Sequence, residues 1–241
     1  MSVHAGYSGF AGPTIYVINL ADRADRRAEM AEQLSRIGLG FNSAAVRLFD
    51  AVRPADTGFF PSIGSRGCFM SHLGVLEDAA ATGLHKILIL EDDLNFSPDF
   101  AQRSERLAAR IAAPDWGIFY GGHQVAGHLS ALNGAADLNP KEPVQITHFI
   151  ALQGPSINAA AAYLAAMLLR PSGDADGGPM HLDGAYSWFR REHPHVRTWI
   201  AVPPLGYQRA SRTDIHALRW FDKMRAVRDV ASVLRRLRNR R

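Results

Sequence analysis

Four aliphatic residues in a row, Ile87 to Leu90, are followed without a break by Glu91, Asp92 and Asp93. An apolar run of this kind, set in HKILILEDDLNF from His85 to Phe96, suits a strand covered on both faces in a parallel or mixed sheet and points to an α/β fold. The three carboxylates then stand at the carboxyl end of that strand, where open α/β sheets place their ligands. Adjacent negative charges raise one another's pKa unless a positive group joins them. A hard divalent cation, Mg²⁺ or Mn²⁺, meets that need and leaves positions open for substrate phosphates. The competing reading is a helix N-terminus, which favours acids in its first turn, with Ser97, Pro98 and Asp99 starting the helix. A cap needs one acid, not three behind a buried strand.

With 241 residues the chain is long enough for one large α/β domain and a small appended element. The organisation expected is a loose N-terminus over 1–13, one domain over 14–216 and a basic amphipathic helix over 217–241. A single cysteine, Cys68, rules out an internal disulfide framework and favours a reducing, cytoplasmic setting. MSVHAGYSGFAGP shows no basic region followed by an apolar one, so it does not read as a secretory signal. The longest apolar candidate, Ala159 to Leu169, has the length of a core helix and falls short of a membrane span. Nine Lys or Arg and two Asp lie between Ala217 and Arg241, so the formal net charge of +4 is concentrated in the tail and the body is mildly acidic. That asymmetry argues against a body that tracks nucleic acid.

Thr14 to Leu20 reads as the first strand, and Asp22 as the N-cap of a helix whose apolar positions are Met30, Leu34 and Ile37. Arg23, Arg26 and Arg27 follow that strand and can bind phosphate, pair with nearby acids or simply solvate a helix face. Ala44 to Ala51 suggests a second strand leading into a long irregular loop to Ser65. A helix to Gly83 presents Phe69, Leu73, Leu76 and Ala80 on one face, with Ser71 and His72 near its start. His72 is either a ligand contact or a buried structural histidine. A helix over 99–112 precedes a strand over 116–120 closed by Gly121 and Gly122, which admit a ligand or make a turn. Residues 123–143 read as loop, Val144 to Leu152 as a strand, and an Ala-rich helix follows Gly154. Asp183 opens a further helix, as a cap or as a catalytic acid. A short strand at Arg197 to Val202 leads to a polar segment carrying Gln208, Ser211, Asp214 and His216.

Taken in order, INLADRADRR, GCFMSH, LILEDDLNFSPDF, HLDGAYSWF and QRASRTDIH resemble glycosyltransferase family 25, the lipooligosaccharide and lipopolysaccharide galactosyltransferase-like family, from about Ile15 to His216. The resemblance implies a GT-A-like nucleotide-binding α/β/α sandwich with a mostly parallel mixed sheet. It further implies an inverting, metal-dependent transfer of a sugar, galactose by analogy, from a UDP-sugar to a saccharide or lipid-linked glycan acceptor. On the donor side it places Asn19, Leu20, Arg23, Arg26, Arg27, Gly67, Ser71, His72, Glu91 and Asp92, with Glu91 at the ribose or a water-mediated contact. Asp93 becomes the principal ligand of a divalent cation (Mn or Mg), with Asp214 or His216 completing its shell, and Asp183 the catalytic base. The chain departs from the family pattern after Gly154, reading PSIN over Pro155 to Asn158, which bears on acceptor recognition and activity.

Two other classes compete. A nucleotidyltransferase would carry a Gly-rich phosphate loop after the first strand, and INLADRADRR has none. A domain that binds a sugar nucleotide without turning it over is compatible with the PSIN departure. In the tail, Trp220, Met224, Val227, Ala231 and Leu234 repeat at helical spacing among arginines. Such a helix lies on an anionic membrane surface or packs on the domain.

Overall fold

The computed structural model describes residues 10, 12–126 and 129–209. The expectations for Asp214, His216 and the tail over 217–241 therefore lie outside the described residues. The elements are β1 (Thr14–Asn19), α1 (Ala24–Arg36), β2 (Val46–Asp50), α2 (Ile63–Ala81), β3 (Lys86–Glu91), β4 (Leu94–Phe96), α3 (Phe100–Ala112) and β5 (Ile118–Tyr120). They continue with β6 (Ala135–Leu138), β7 (Phe149–Gln153), α4 (Pro155–Leu168), α5 (Leu182–Glu192), β8 (Thr198–Ala201) and β9 (Gly206–Gln208).

The main sheet has seven strands in the order β2-β1-β3-β7-β5-β8-β6. Pairing is parallel at β2-β1, β1-β3 and β5-β8 and antiparallel elsewhere, so only β7 and β6 run against the rest. This is the mixed, mostly parallel α/β sheet that the sequence leads one to expect.

Side chains alternate across a strand, and β3 uses both faces. Ile87 and Ile89 join a core with α2, α4 and α5, whereas Leu88 and Leu90 join a second core with α1 and α3. Each of these side chains is essentially buried, worth about 1.5–3 kcal/mol apiece before entropy. A single apolar run is thus the shared wall of two cores, which is why it shows no alternation. Phe10, within the stretch expected to be loose, is buried against Phe100, Phe119 and Phe149.

Several boundaries differ from expectation. Asp22 does not cap α1: the cap position is Arg23, without a side-chain cap bond, and Asp22 is paired with Arg53 at 2.8 Å. Helix α2 starts earlier than expected because Ser62 accepts a hydrogen bond from the Ser65 amide at 3.0 Å. Residues 123–143 contain the edge strand β6. Strand β7 begins only at Phe149. Between the acids and α3, β4 pairs antiparallel with β9, so the acids do not open a helix.

Candidate active site

Parallel pairing brings the carboxyl ends of β1, β2 and β3 together: Ile18 stands opposite Glu91, and Asn19 opposite Asp50. A cavity of ≈ 430 Å³ opens there, lined among others by Asn19, Leu20, Arg26, Gly67, His72 and Asp92. Because β7 runs antiparallel to β3, it is the start of β7 that reaches the same edge, and the Glu91 amide donates to the His148 carbonyl at 3.0 Å. A second cavity of ≈ 240 Å³ is lined there by Ile146, Thr147, His148, Asp183 and Gln208. Cys68 and Glu91 line both cavities.

The three carboxylates do not converge on one point. Asp92 accepts from Asn19 Nδ2 at 2.7 Å and from Arg26 at 2.9 Å. Glu91 Oε1 lies 3.3 Å from His72 Nε2 and accepts from the Thr147 hydroxyl at 3.3 Å. Asp93 Oδ2 accepts from Gln208 at 3.0 Å, with Arg26 3.8 Å away. Glu91 ends β3 while Asp92 and Asp93 form the turn into β4, so the expectation of a joint grip gives way to a divided one: Arg26 reaches Asp92 and Asp93, and Glu91 turns to His72 and Thr147.

Those environments separate the acids electrostatically. Burial, then the Glu91 charge, pushes the Asp93 carboxyl up to about 7, against the Gln208 hydrogen bond and Arg26, which lower it. Burial also pushes Glu91 up, but the His72 hydrogen bond and charge, helped by His148 and Thr147, hold it below the usual carboxylate range. The Cys68 thiol is pushed well up by burial and by the charges of Glu91, Asp93 and Asp183. Burial lowers His148. Among the described residues, Asp93 Oδ1 is buried without a hydrogen-bond partner.

The other expected residues divide into lining and supporting roles. Arg27 donates to Asn19 Oδ1 at 3.1 Å and to the Ala21 carbonyl, so it braces the loop after β1. Arg23 lines neither cavity; its guanidinium meets Asp25 at 2.9 and 2.7 Å, which corrects its placement at the nucleotide pocket. The Ser71 hydroxyl donates to the Gly67 carbonyl at 2.7 Å and accepts from the Val52 amide at 2.8 Å, tying α2 to the loop after β2. That loop approaches so closely that a Cβ at Gly67 would stand 2.8 Å from the Val52 carbonyl oxygen. His72 is fully buried against Glu91, as the structural reading has it, and it also lines the first cavity. Asp183 lies in the first turn of α5, where its Oδ1 accepts from the Gly184 amide at 2.8 Å, and it faces the second cavity.

Gly122 makes room for a neighbour rather than a ligand: a Cβ there would stand 2.4 Å from His148 Nε2. The PSIN segment is the first turn of α4 at the opposite end of the sheet, where Gln153 pairs with Lys86 and the Gly154 amide donates to the His85 carbonyl. It lines neither cavity. Residue type and spacing do not single out Thr147, His148 and Gln208 as site residues. A polar Thr-His pair inside the apolar stretch from Val144 to Leu152 was the available signal. Ile146, a β-branched residue at φ 72°, sits in strained backbone beside that pair.

Residues 61–128 match the profile of glycosyltransferase family 25 (LPS biosynthesis protein). Over 128 residues, 46% of this chain and 22% of the relative, the sequence is 32% identical to the human inactive glycosyltransferase 25 family member 3. It is 26% identical over 128 residues to procollagen galactosyltransferase 1-B of Xenopus laevis, covering 46% of this chain and 21% of that protein. The match thus spans about a fifth of these relatives' length. A solved glycosyltransferase involved in glycosylating the major capsid of PBCV-1 aligns over 84% of this chain and 97% of its own, at 11% identity and a TM-score of 0.41.

Proposed function

We propose that this chain is a glycosyltransferase of family 25, whose profile its residues 61–128 match, and that it transfers a sugar, galactose in the first instance, from a UDP-sugar to an acceptor hydroxyl with inversion. The observation that carries the reading is the pair of cavities meeting at Cys68 and Glu91, one lined by Arg26 and Arg53 and the other by Asp183. The two guanidiniums of the first cavity suit the donor diphosphate. The second takes the saccharide or lipid-linked acceptor.

In the transfer, Asp183 accepts the proton of the acceptor hydroxyl while the acceptor oxygen bonds to the anomeric carbon and the bond from that carbon to the diphosphate breaks. Such a base contributes about 10²–10⁴ in rate. A divalent cation, Mn²⁺ or Mg²⁺, held in the site would supply charge neutralisation at the departing diphosphate. Asp93 would hold that ion: it lines neither cavity, but it adjoins Asp92, which lines the first, and one of its carboxylate oxygens is buried without a hydrogen-bond partner among the described residues. Glu91 serves the ribose or a water-mediated contact, and Asn19 and Arg26 hold Asp92 against the donor.

A second reading, sugar-nucleotide binding without turnover, has its own support: Arg26 already neutralises Asp92, and the human relative is named inactive. A thermal-shift screen of nucleotide sugars with and without Mn²⁺ tests both, since a ligand of the folded state raises stability by mass action. UDP-sugars are expected to raise Tm more in Mn²⁺ than without it; equal shifts with unrelated nucleotides, or none, would sink the donor assignment. UDP binding without UDP-sugar turnover would select the second reading.

Among the described residues no helix is long and apolar enough to cross a membrane. Our reading places the enzyme in the cytoplasm, with the basic segment over 217–241 contacting the anionic inner face of a membrane. Flotation with anionic liposomes, with and without Ala217 to Arg241, checks that contact; equal recovery removes it.

A further inference from the structure

We infer that Cys68, His72 and Glu91 form a site for a thiophilic divalent cation such as Zn²⁺, set in the partition between the two cavities and distinct from Asp93. Cys68 and His72 stand four residues apart on α2, so their side chains share one face of the helix. The end of β3 brings Glu91 against that face. Glu91 Oε1 lies 3.3 Å from His72 Nε2 and 3.9 Å from Cys68 Sγ, and the three ligand atoms all fall within 4.8 Å of one another. Ligands held at about 2.0–2.3 Å around a tetrahedral Zn²⁺ stand about 3.3–3.7 Å apart, so a small contraction closes the set.

The surroundings are those of a metal site. Tyr186 places its hydroxyl 3.5 Å from His72 Nδ1, the nitrogen turned away from the trio, and the Thr147 hydroxyl holds Glu91 Oε1. Partners of this kind orient ligands and set the histidine tautomer. Three protein ligands leave a fourth position open. It faces the junction, because Cys68 and Glu91 line both cavities. Sulfur and imidazole select Zn²⁺ over the Mg²⁺ or Mn²⁺ suited to a carboxylate. On binding, the thiol proton leaves to solvent, the thiolate bonds to the ion, and His72 keeps its proton on Nδ1 while Nε2 gives its lone pair.

An ion in the partition stands where donor and acceptor meet, so Zn²⁺ inhibits transfer. That consequence rests on the donor and acceptor assignment above; binding of the ion does not. The test is titration of the metal-free full chain with Co²⁺. Cys68 is the sole cysteine, so a thiolate-to-cobalt charge-transfer band can come from no other residue. The band should saturate at one equivalent, vanish on adding Zn²⁺, vanish in Cys68→Ser and persist in Asp93→Asn. In the unaltered chain, Zn²⁺ at ten times its Kd should slow alkylation of Cys68 about tenfold, a readout independent of how the variants fold. Absence of both band and protection overturns the site, as does loss of the band in Asp93→Asn that folds normally. Zn²⁺ binding with unchanged sugar transfer overturns the inhibitory role. Absence of transfer even in metal-free, Mn²⁺-supplied protein, with the cobalt band intact, refutes the enzyme reading alone.

Discussion

The two ends of β3 face opposite demands. At the far end Lys86 Nζ donates to the Ile111 carbonyl at 2.8 Å, and Gln153 Nε2 to those of Ala113 and Trp116 at 2.9 and 3.0 Å. The Ser156 hydroxyl lies 2.7 and 2.6 Å from the Gly117 and Gln153 carbonyls. At the acidic end three carboxylates crowd together, one with a buried oxygen that no group meets, beside strained backbone at Ile146. Both ends hold a cavity, and the far one, at ≈ 350 Å³, is no smaller than the proposed acceptor cavity. Volume therefore does not distinguish the candidate site from the far rim; the crowded carboxylates do.

That contrast can be broken by substitution. Asp183→Asn should lower sugar transfer by about 10²–10⁴ with donor KM unchanged; retention of full transfer removes the base assignment. Asp93→Ala should cut turnover by about 10²–10³ and abolish stimulation by Mn²⁺ over chelator-treated protein. Full metal-dependent donor turnover in that variant would refute the Asp93 assignment. Arg26→Gln should raise donor KM about tenfold, the loss of one charged hydrogen bond, measured by initial rates across UDP-sugar concentration. At the far end, Ser156→Ala should cost about 1–2 kcal/mol of stability, read from denaturant midpoints, and leave kinetic constants alone. A kinetic effect there would erase the distinction between the two ends.

What the sequence revealed follows how locally each feature is encoded. The aliphatic run of β3 is legible because burial on both faces demands it. Strand β6 (AADL) is not, since it is short and lacks β-branched residues, and only pairing with β8 makes it a strand. The start of α2 lies in a loop-like PSIG, where the local N-cap signal of Ser62 is masked by the flanking Pro61 and Gly64. The acidic motif was readable as a site, but its internal division was not. Whether Asp92 meets Arg26 or a ligand depends on where α1 stands over the β1 edge, and Gln208 reaches Asp93 only because β9 pairs with β4. The PSIN segment misled for the same reason: its distance from the acids is set by the direction of β7, which residue types do not state.

The reversed direction of β7 also has a practical use. Its residues Phe149 to Gln153 carry the chain away from the acidic edge, over about 17 Å of extended backbone, before α4 begins. A fluorophore or tether fixed on exposed Asn158, in the first turn of that helix, therefore stands at the far rim, giving surface immobilisation or a single-molecule handle away from the two cavities.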